Sequence, residues 1–342
     1  MNPIEYSSLP APLWLITILH ILTLTLHLLA MNVVVGGIVI GLFGRFTNRW
    51  QHPSVTQLTK LLPTVMAATV TLGVAPLLFV QLVYGRLIYS ASIISGWYWL
   101  MIFVAAIIGY YCLYAVAFGK KNKGRAGLYL GSALVCFLYI SYVYSSVFSL
   151  SERPDLQAIL YAANQSGLIL NSDIGSYLFR WLHVIAGAVT VGGFFVAVLG
   201  RHNEEASAAG KRFFLWGMII ATVLGIVYLM TFGEYLLPYM RSAAVWWMLV
   251  SALLSLGSIH FLFKRRFVVS GIMLFVSVLG MVINRYIVRL LRLEGHFDPC
   301  KLAVDSQWSA LAVFLVCFVL AVVLIVYMLR LYFGRQSKPA AK

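Results

Sequence analysis

A chain of 342 residues that is 62% hydrophobic and 10% charged, with mean hydropathy +0.92, stands far from soluble proteins, of which roughly 25% of residues are charged, and this excludes a soluble enzyme. Its formal net charge of +15, from 25 Lys and Arg against 10 Asp and Glu, has to be mapped onto a membrane before nucleic acid is considered. Four cysteines argue against a disulfide scaffold, no Cys-x-x-Cys-His is present for covalent c-type haem attachment, and no basic stretch before the first apolar run suggests a cleaved signal peptide.

Crossing a bilayer takes about 20 mostly apolar residues. Nine segments qualify: Leu13–Phe43, Leu61–Tyr84, Gly96–Phe118, Ala126–Leu150, Ile174–Leu199, Phe213–Leu236, Ala243–Phe263, Phe267–Leu290 and Trp308–Phe333. The connections are short, which predicts an all-α polytopic membrane bundle, one domain over 1–342, with no linker and no clear internal repeat. Lys and Arg gather after spans 1 (Arg45, Arg49, Lys60), 3 (Lys120, Lys121, Lys123, Arg125), 5 (Arg201, Lys211, Arg212) and 7 (Lys264, Arg265, Arg266), and in the tail (Arg330, Arg335, Lys338, Lys342). The positive-inside rule makes that side cytoplasmic, the N-terminus external and the C-terminus internal. With only Glu204 and Glu205 as inner acids, the whole +15 is inside and the outer side is neutral. The charge is therefore a topology signal and does not point to nucleic acid.

The cations that topology leaves unexplained are outer arginines: Arg86, Arg180, Arg241, Arg285, Arg289 and Arg292. Arg285, Arg289 and Arg292 share one face of span 8, and Asn284 precedes them as a polar residue that needs a partner. Such a row calls for an anion: phospholipid headgroups, the loop acids Glu294 and Asp298, or haem propionates. Interfacial snorkelling is the plainer alternative.

Four of seven histidines fall within spans: His20, His27, His183 and His260. His52 and His202 are in inner loops and His296 is in an outer one. At about 1.5 Å per residue, His27 and His183 both sit in the outer half of the bilayer, and His20 lies two turns further out on the His27 face. Arg180 is one turn outward of His183. Imidazoles beside cations are what a b-type haem uses, as axial ligands and propionate partners. A proton- or ion-coupled transporter would instead want intramembrane carboxylates. Every acid here is in a loop or at a span end, with Glu234 expected to lie deepest. Cys112, Cys136 and Cys317 are on separate spans without a paired motif, which suits packing.

The segment RWLHVIAGAVTVGGFFVAVLGRHNEEASAAGKRFFLWGMIIATVLG resembles the fifth helix and following loop of subunit I of the cytochrome bd quinol oxidases. HLLAMNVVVGGIVIGLF in span 1, Gly73–Ala75, Gln81 and Tyr89-Ser90 are similar to that family in order and spacing. The resemblance covers about residues 20–225, leaving spans 7–9 (about 243–333) outside it. It implies axial haem ligands at His183 and His27; His20, two turns away on the His27 face, is a further candidate ligand from the histidine pattern itself. Met248 takes the place of a thioether ligand, with Met240 as a rival, and Trp246 replaces an arginine two residues earlier.

The departures bear on function. Only Leu237–Ser242 joins spans 6 and 7, where the family has a long quinol-binding loop. Span 3 has no carboxylate, and span 8 reads NRYIVR where the family presents a glutamate. Reducing oxygen consumes protons, so the loss of membrane acids removes a relay that this chemistry needs. The expectation is a membrane cytochrome b of a respiratory chain in the bacterial cytoplasmic membrane. It would hold two or three b-type haems on His27, His183, His20 and Met248, with Arg180, Arg285 and Arg289 on the propionates. It would carry electrons between a quinol pool and a periplasmic c-type cytochrome, among lipid and other complex subunits. A divergent bd-type oxidase subunit and a haem-free transporter or anchor are the alternatives.

Overall fold

The computed structural model describes residues 8–47, 53–119 and 123–336. Arg49, His52, Lys120, Lys121, Lys338 and Lys342 lie outside the described residues. Among the described residues eleven α-helices run in order: α1 Leu13–Phe46, α2 Pro53–Ile94, α3 Gly96–Phe118, α4 Ala126–Leu150, α5 Pro154–Ala163, α6 Gly175–Leu199, α7 Glu204–Met230, α8 Leu236–Arg241, α9 Ala243–Phe263, α10 Phe267–Leu293 and α11 Trp308–Gln336. Nine of them are long and apolar enough to cross a membrane, which makes the chain an integral membrane protein built as a polytopic helical bundle. Their apolar surface is sorted by position: α11 has no buried share in its most hydrophobic stretch, while α1 and α6 have 44% each. α1 and α6 therefore form the centre.

Hydropathy reproduces the nine spans and misses what lies at their ends. α2 extends past the expected Leu61–Tyr84 at both ends, and Tyr84 is where its backbone leaves helical geometry (φ −115°, ψ 19°). α7 begins at Glu204, capped by the Asn203 side chain, which accepts from the Ala206 N–H. The two acids of its first turn face the positive end of the helix dipole. α5 and the segment after it fold back over one end of the bundle. Trp97 N donates to Gly167 O, Ser95 Oγ to Ile169 O, and Gln157 Nε2 to Leu87 O and Leu150 O. At that end the N-terminal segment pairs with the approach to α11: Leu9 N donates to Ala303 O and Asp305 N to Leu9 O.

The centre also corrects one expectation, because the chain does contain an internal repeat. LHLLAMNVVVGGIVIGLFGR (26–45) and LHVIAGAVTVGGFFVAVLGR (182–201) are identical at Leu, His, Ala, two Val, three Gly and Arg. The packing repeats with the sequence. A Cβ on Gly37 would meet Leu58 and Leu62 of α2, and one on Gly193 would meet Gly210 and Phe214 of α7. Leu58 and Gly210, like Leu62 and Phe214, are 152 positions apart. Between the copies, Gly36 and Gly192 face each other. A Cβ on Gly36 would lie 1.9 Å from Ala188 O, and one on Gly192 would lie 2.9 Å from the Gly36 Cα. Only glycine permits helix axes this close, so these two glycines mark where the α1–α2 and α6–α7 hairpins touch.

Candidate functional site

Three intramembrane histidines share one arrangement. Nδ1 of His20 lies 3.1 Å from Pro76 O, that of His27 3.0 Å from Thr69 O, and that of His183 2.7 Å from Ala221 O. A carbonyl oxygen only accepts, so Nδ1 carries the proton in each ring and Nε2 keeps its lone pair. An Nδ1–H fixed on a backbone carbonyl is also how proteins orient imidazoles that ligate metals. The His27 ring rests on Gly73, where a Cβ would come within 2.8 Å of it. The His183 ring rests on Gly225, at 3.1 Å. Among the described residues no three His, Cys, Asp or Glu side chains converge on one point.

The arginine row does not face the loop acids that the sequence offered as partners. Glu294 and Asp298 are exposed, and Asp298 Oδ1 accepts from Cys300 N. The carboxylate that the row meets is Glu152, in the turn between α4 and α5, and it is fully buried. Its Oε1 accepts from Arg285 Nη2 and, at 3.1 Å, from Arg289 Nε; Oε2 lies 3.9 Å from Arg292 Nη1. Glu234, expected to be the deepest acid, is exposed. Burial alone would push the Glu152 carboxyl up. The guanidiniums of Arg285, Arg289, Arg292 and Arg180 outweigh burial and hold it at about 2. Four guanidiniums thus share one carboxylate, and the surplus is visible in the hydrogen bonding. Arg180 Nη1, Arg285 Nη1 and Arg292 Nε are buried without a partner among the described residues. Buried guanidinium N–H groups left open in this way suit an additional anion.

The cluster is connected to the histidines. Arg289 stacks over the Tyr84 ring, 5.1 Å from its centroid. Tyr84 and Tyr286 line a small crevice with His20. Arg180, one turn from His183 on α6, donates Nη2 to Ser145 O at 3.1 Å. Arg292 stacks on Phe232 and Tyr235. Met248 joins the same apolar cluster as Phe232 and Tyr228, and its Sδ accepts from Tyr239 OH at 3.3 Å. Asn284 finds the partners its burial calls for, donating to Tyr239 OH (2.9 Å) and Ala244 O (2.6 Å). Met240 is half exposed, and His260 and His296 are exposed, outside this assembly.

The sequence pointed to the histidines and arginines but not to Glu152 or Gly225, and it marked Gly73 only as part of a family-like stretch, without its contact with His27. Glu152 sits in SERPD, which reads as an ordinary polar loop. The two glycines act through Thr69 O and Ala221 O, the carbonyls four residues before them, which only the fold brings to the histidines.

No protein-family model matches the sequence, and no curated protein matches it. Among solved structures the chain is similar to the bd oxidase from Geobacillus thermodenitrificans, with a TM-score of 0.73 over 96% of this chain and 100% of that one at 13% identity. The chain therefore has the fold of a bd oxidase subunit.

Proposed function

We propose that this protein is a divergent bd-type oxidase subunit that holds b-type haem and passes electrons within a respiratory membrane complex. The observation that carries the reading is His183: its Nδ1–H is fixed on Ala221 O, its Nε2 is free, and Arg180, with an open buried N–H, stands one turn away. His27 and His20 repeat the first half of that arrangement. Arg285, Arg289 and Arg292 extend the second.

Haem, when bound, supplies one-electron redox chemistry. His183, His27 and His20 would hold haem iron through Nε2, and Met248 would offer its thioether, which Tyr239 OH engages. Arg180, Arg285 and Arg289 would hold the propionates, Arg180 and Arg285 through their open Nη1 groups and Arg289 as the cation between them. Glu152 offsets part of the charge of the cluster and keeps the row in place. Two haems, on His27 and His183, account for the best-formed positions, and His20 provides for a third.

Within that reading, electron carriage without oxygen reduction on this chain is favoured by Glu152. Its carboxyl is held at about 2 by four guanidiniums, so at neutral pH it is a fixed anion with no proton to give. Span α3 offers no acid either. Quinol and a periplasmic c-type cytochrome are the exchange partners that suit a carrier of this kind. Membrane lipid and other complex subunits would cover its broad apolar flanks, in a bacterial cytoplasmic membrane.

A reduced-minus-oxidised difference spectrum of the purified protein tests the proposal. A b-type α-band is expected, and its absence leaves a haem-free transporter or anchor. Carbon monoxide added to the reduced protein should leave the spectrum unchanged. A shifted spectrum would place oxygen chemistry on this chain.

A further inference from the structure

We propose that the α1–α2 and α6–α7 hairpins are two copies of one imidazole-presenting unit, in which Gly73 and Gly225 are positioning residues that set His27 and His183 for the same class of ligand. As to the identity of that ligand, an iron porphyrin bound through Nε2, the inference rests on the function proposed above.

Four independent correspondences carry it. Each histidine precedes the central glycine of its helix by nine residues, His27 before Gly36 and His183 before Gly192. Each donates Nδ1–H to a carbonyl of the following long helix, Thr69 and Ala221, which are 152 positions apart. Each ring lies on the glycine four residues after that carbonyl, Gly73 and Gly225, again 152 positions apart. Finally, Gly36 and Gly192, the glycines from which the two histidines are spaced, meet at the centre.

Hydrophobic patterning alone does not produce this agreement. The positions that match include His, three Gly and Arg, none of which an apolar helix needs at fixed spacing. The physical role of the paired glycine is direct. A methyl group at position 73 would come within 2.8 Å of two His27 ring atoms, and one at 225 within 3.1 Å of His183 Nδ1. Either would push the ring off its carbonyl and release the restraint on its tautomer and aim.

The copies differ in what surrounds the shared core. His20 corresponds in sequence to Ser176, and Arg180 corresponds to Leu24. Histidine presentation is therefore common to both halves, while the second histidine of α1 and the arginine of α6 belong to one half each. Two like ligands in unlike electrostatic surroundings would differ in potential, which gives an electron a direction between them.

The test uses the full-length protein labelled with 15N-histidine, studied by solid-state NMR both haem-free and haem-loaded, with Gly73→Ala, Gly225→Ala and Gly187→Ala variants. Gly187 has nothing within 4 Å of its Cβ direction and reports the effect of a helical glycine change alone. In the haem-free wild type, both His27 and His183 are expected as Nδ1–H tautomers. Gly73→Ala should shift the His27 signals only, Gly225→Ala the His183 signals only and by less, and Gly187→Ala neither. In loaded protein each paired variant should alter the potential of one haem. An Nε2–H tautomer at either ring, or a ring indifferent to its own glycine, overturns the proposal. The wild-type tautomers decide it even where a variant fails to fold. If the wild type takes up no haem, the proposed function falls while the tautomer result still judges the duplicated unit.

Discussion

Arg289 and Glu152, 137 positions apart in sequence, meet at 3.1 Å in a site from which solvent is excluded. Neither could occupy its place alone. A buried guanidinium without a counter-charge, or a buried carboxylate without cations, carries a desolvation penalty of several kcal/mol.

Glu152→Gln is therefore expected to destabilise the protein severely, by about 3–5 kcal/mol, because it leaves Arg285, Arg289 and Arg292 facing one another without an anion. A thermal melt in detergent reads this as a large fall in Tm. An unchanged Tm would mean that the ion cluster contributes nothing to the fold.

The same carboxylate gives a pH dependence with a definite sign. Its ordinary value of 4.5 is lowered to about 2 in the folded protein, so its stabilising contribution is complete above about 4.5. That contribution is lost as pH falls toward 2. Wild type should lose stability across that window with a steeper slope than Glu152→Gln, measured by melts from neutral pH downward. Parallel slopes would detach Glu152 from acid stability.

Helix packing at the centre makes a third prediction. A Cβ at Gly36 would fall 1.9 Å from Ala188 O, whereas one at Gly131 meets nothing within 4 Å. Gly36→Ala should cost about 1–3 kcal/mol by overpacking. Gly131→Ala should be neutral or stabilise by about 0.5–1 kcal/mol through helix propensity. Comparable melts for the two variants would contradict the close α1–α6 contact.

For the redox reading, Arg180 is the informative cation. A positive charge beside a haem favours the reduced form, so Arg180→Gln should lower one midpoint potential, by on the order of tens of millivolts. Potentiometric titration followed optically reports it. An unshifted titration would separate Arg180 from any haem.

The legibility of this molecule in its sequence follows from the range of the forces involved. Spans are local statements about hydropathy, and all nine segments were readable, as was the short α6–α7 and α7–α9 connectivity around them. The Tyr84 kink and the fold-back of α5 depend on partners such as Leu87, Leu150 and Gly167, which are distant from the residues they hold. Glu152 was invisible for the same reason. Its neighbours in sequence are polar, and only the approach of α10 and α6 turns it into the anion at the centre of a buried cluster. The repeat lay in plain text at His27–Arg45 and His183–Arg201. It was masked because the surrounding leucines, valines and isoleucines interchange freely on a membrane-spanning helix, and so dilute the identities that packing enforces.

Whether His27 and His183 would each hold a b-type haem is read from haem-to-protein stoichiometry as the pyridine haemochrome. Wild type, His27→Ala, His183→Ala and the double variant are compared. The account predicts at least two haems in wild type, one fewer in each single variant, and two fewer in the double. Full haem content in either single variant would contradict it.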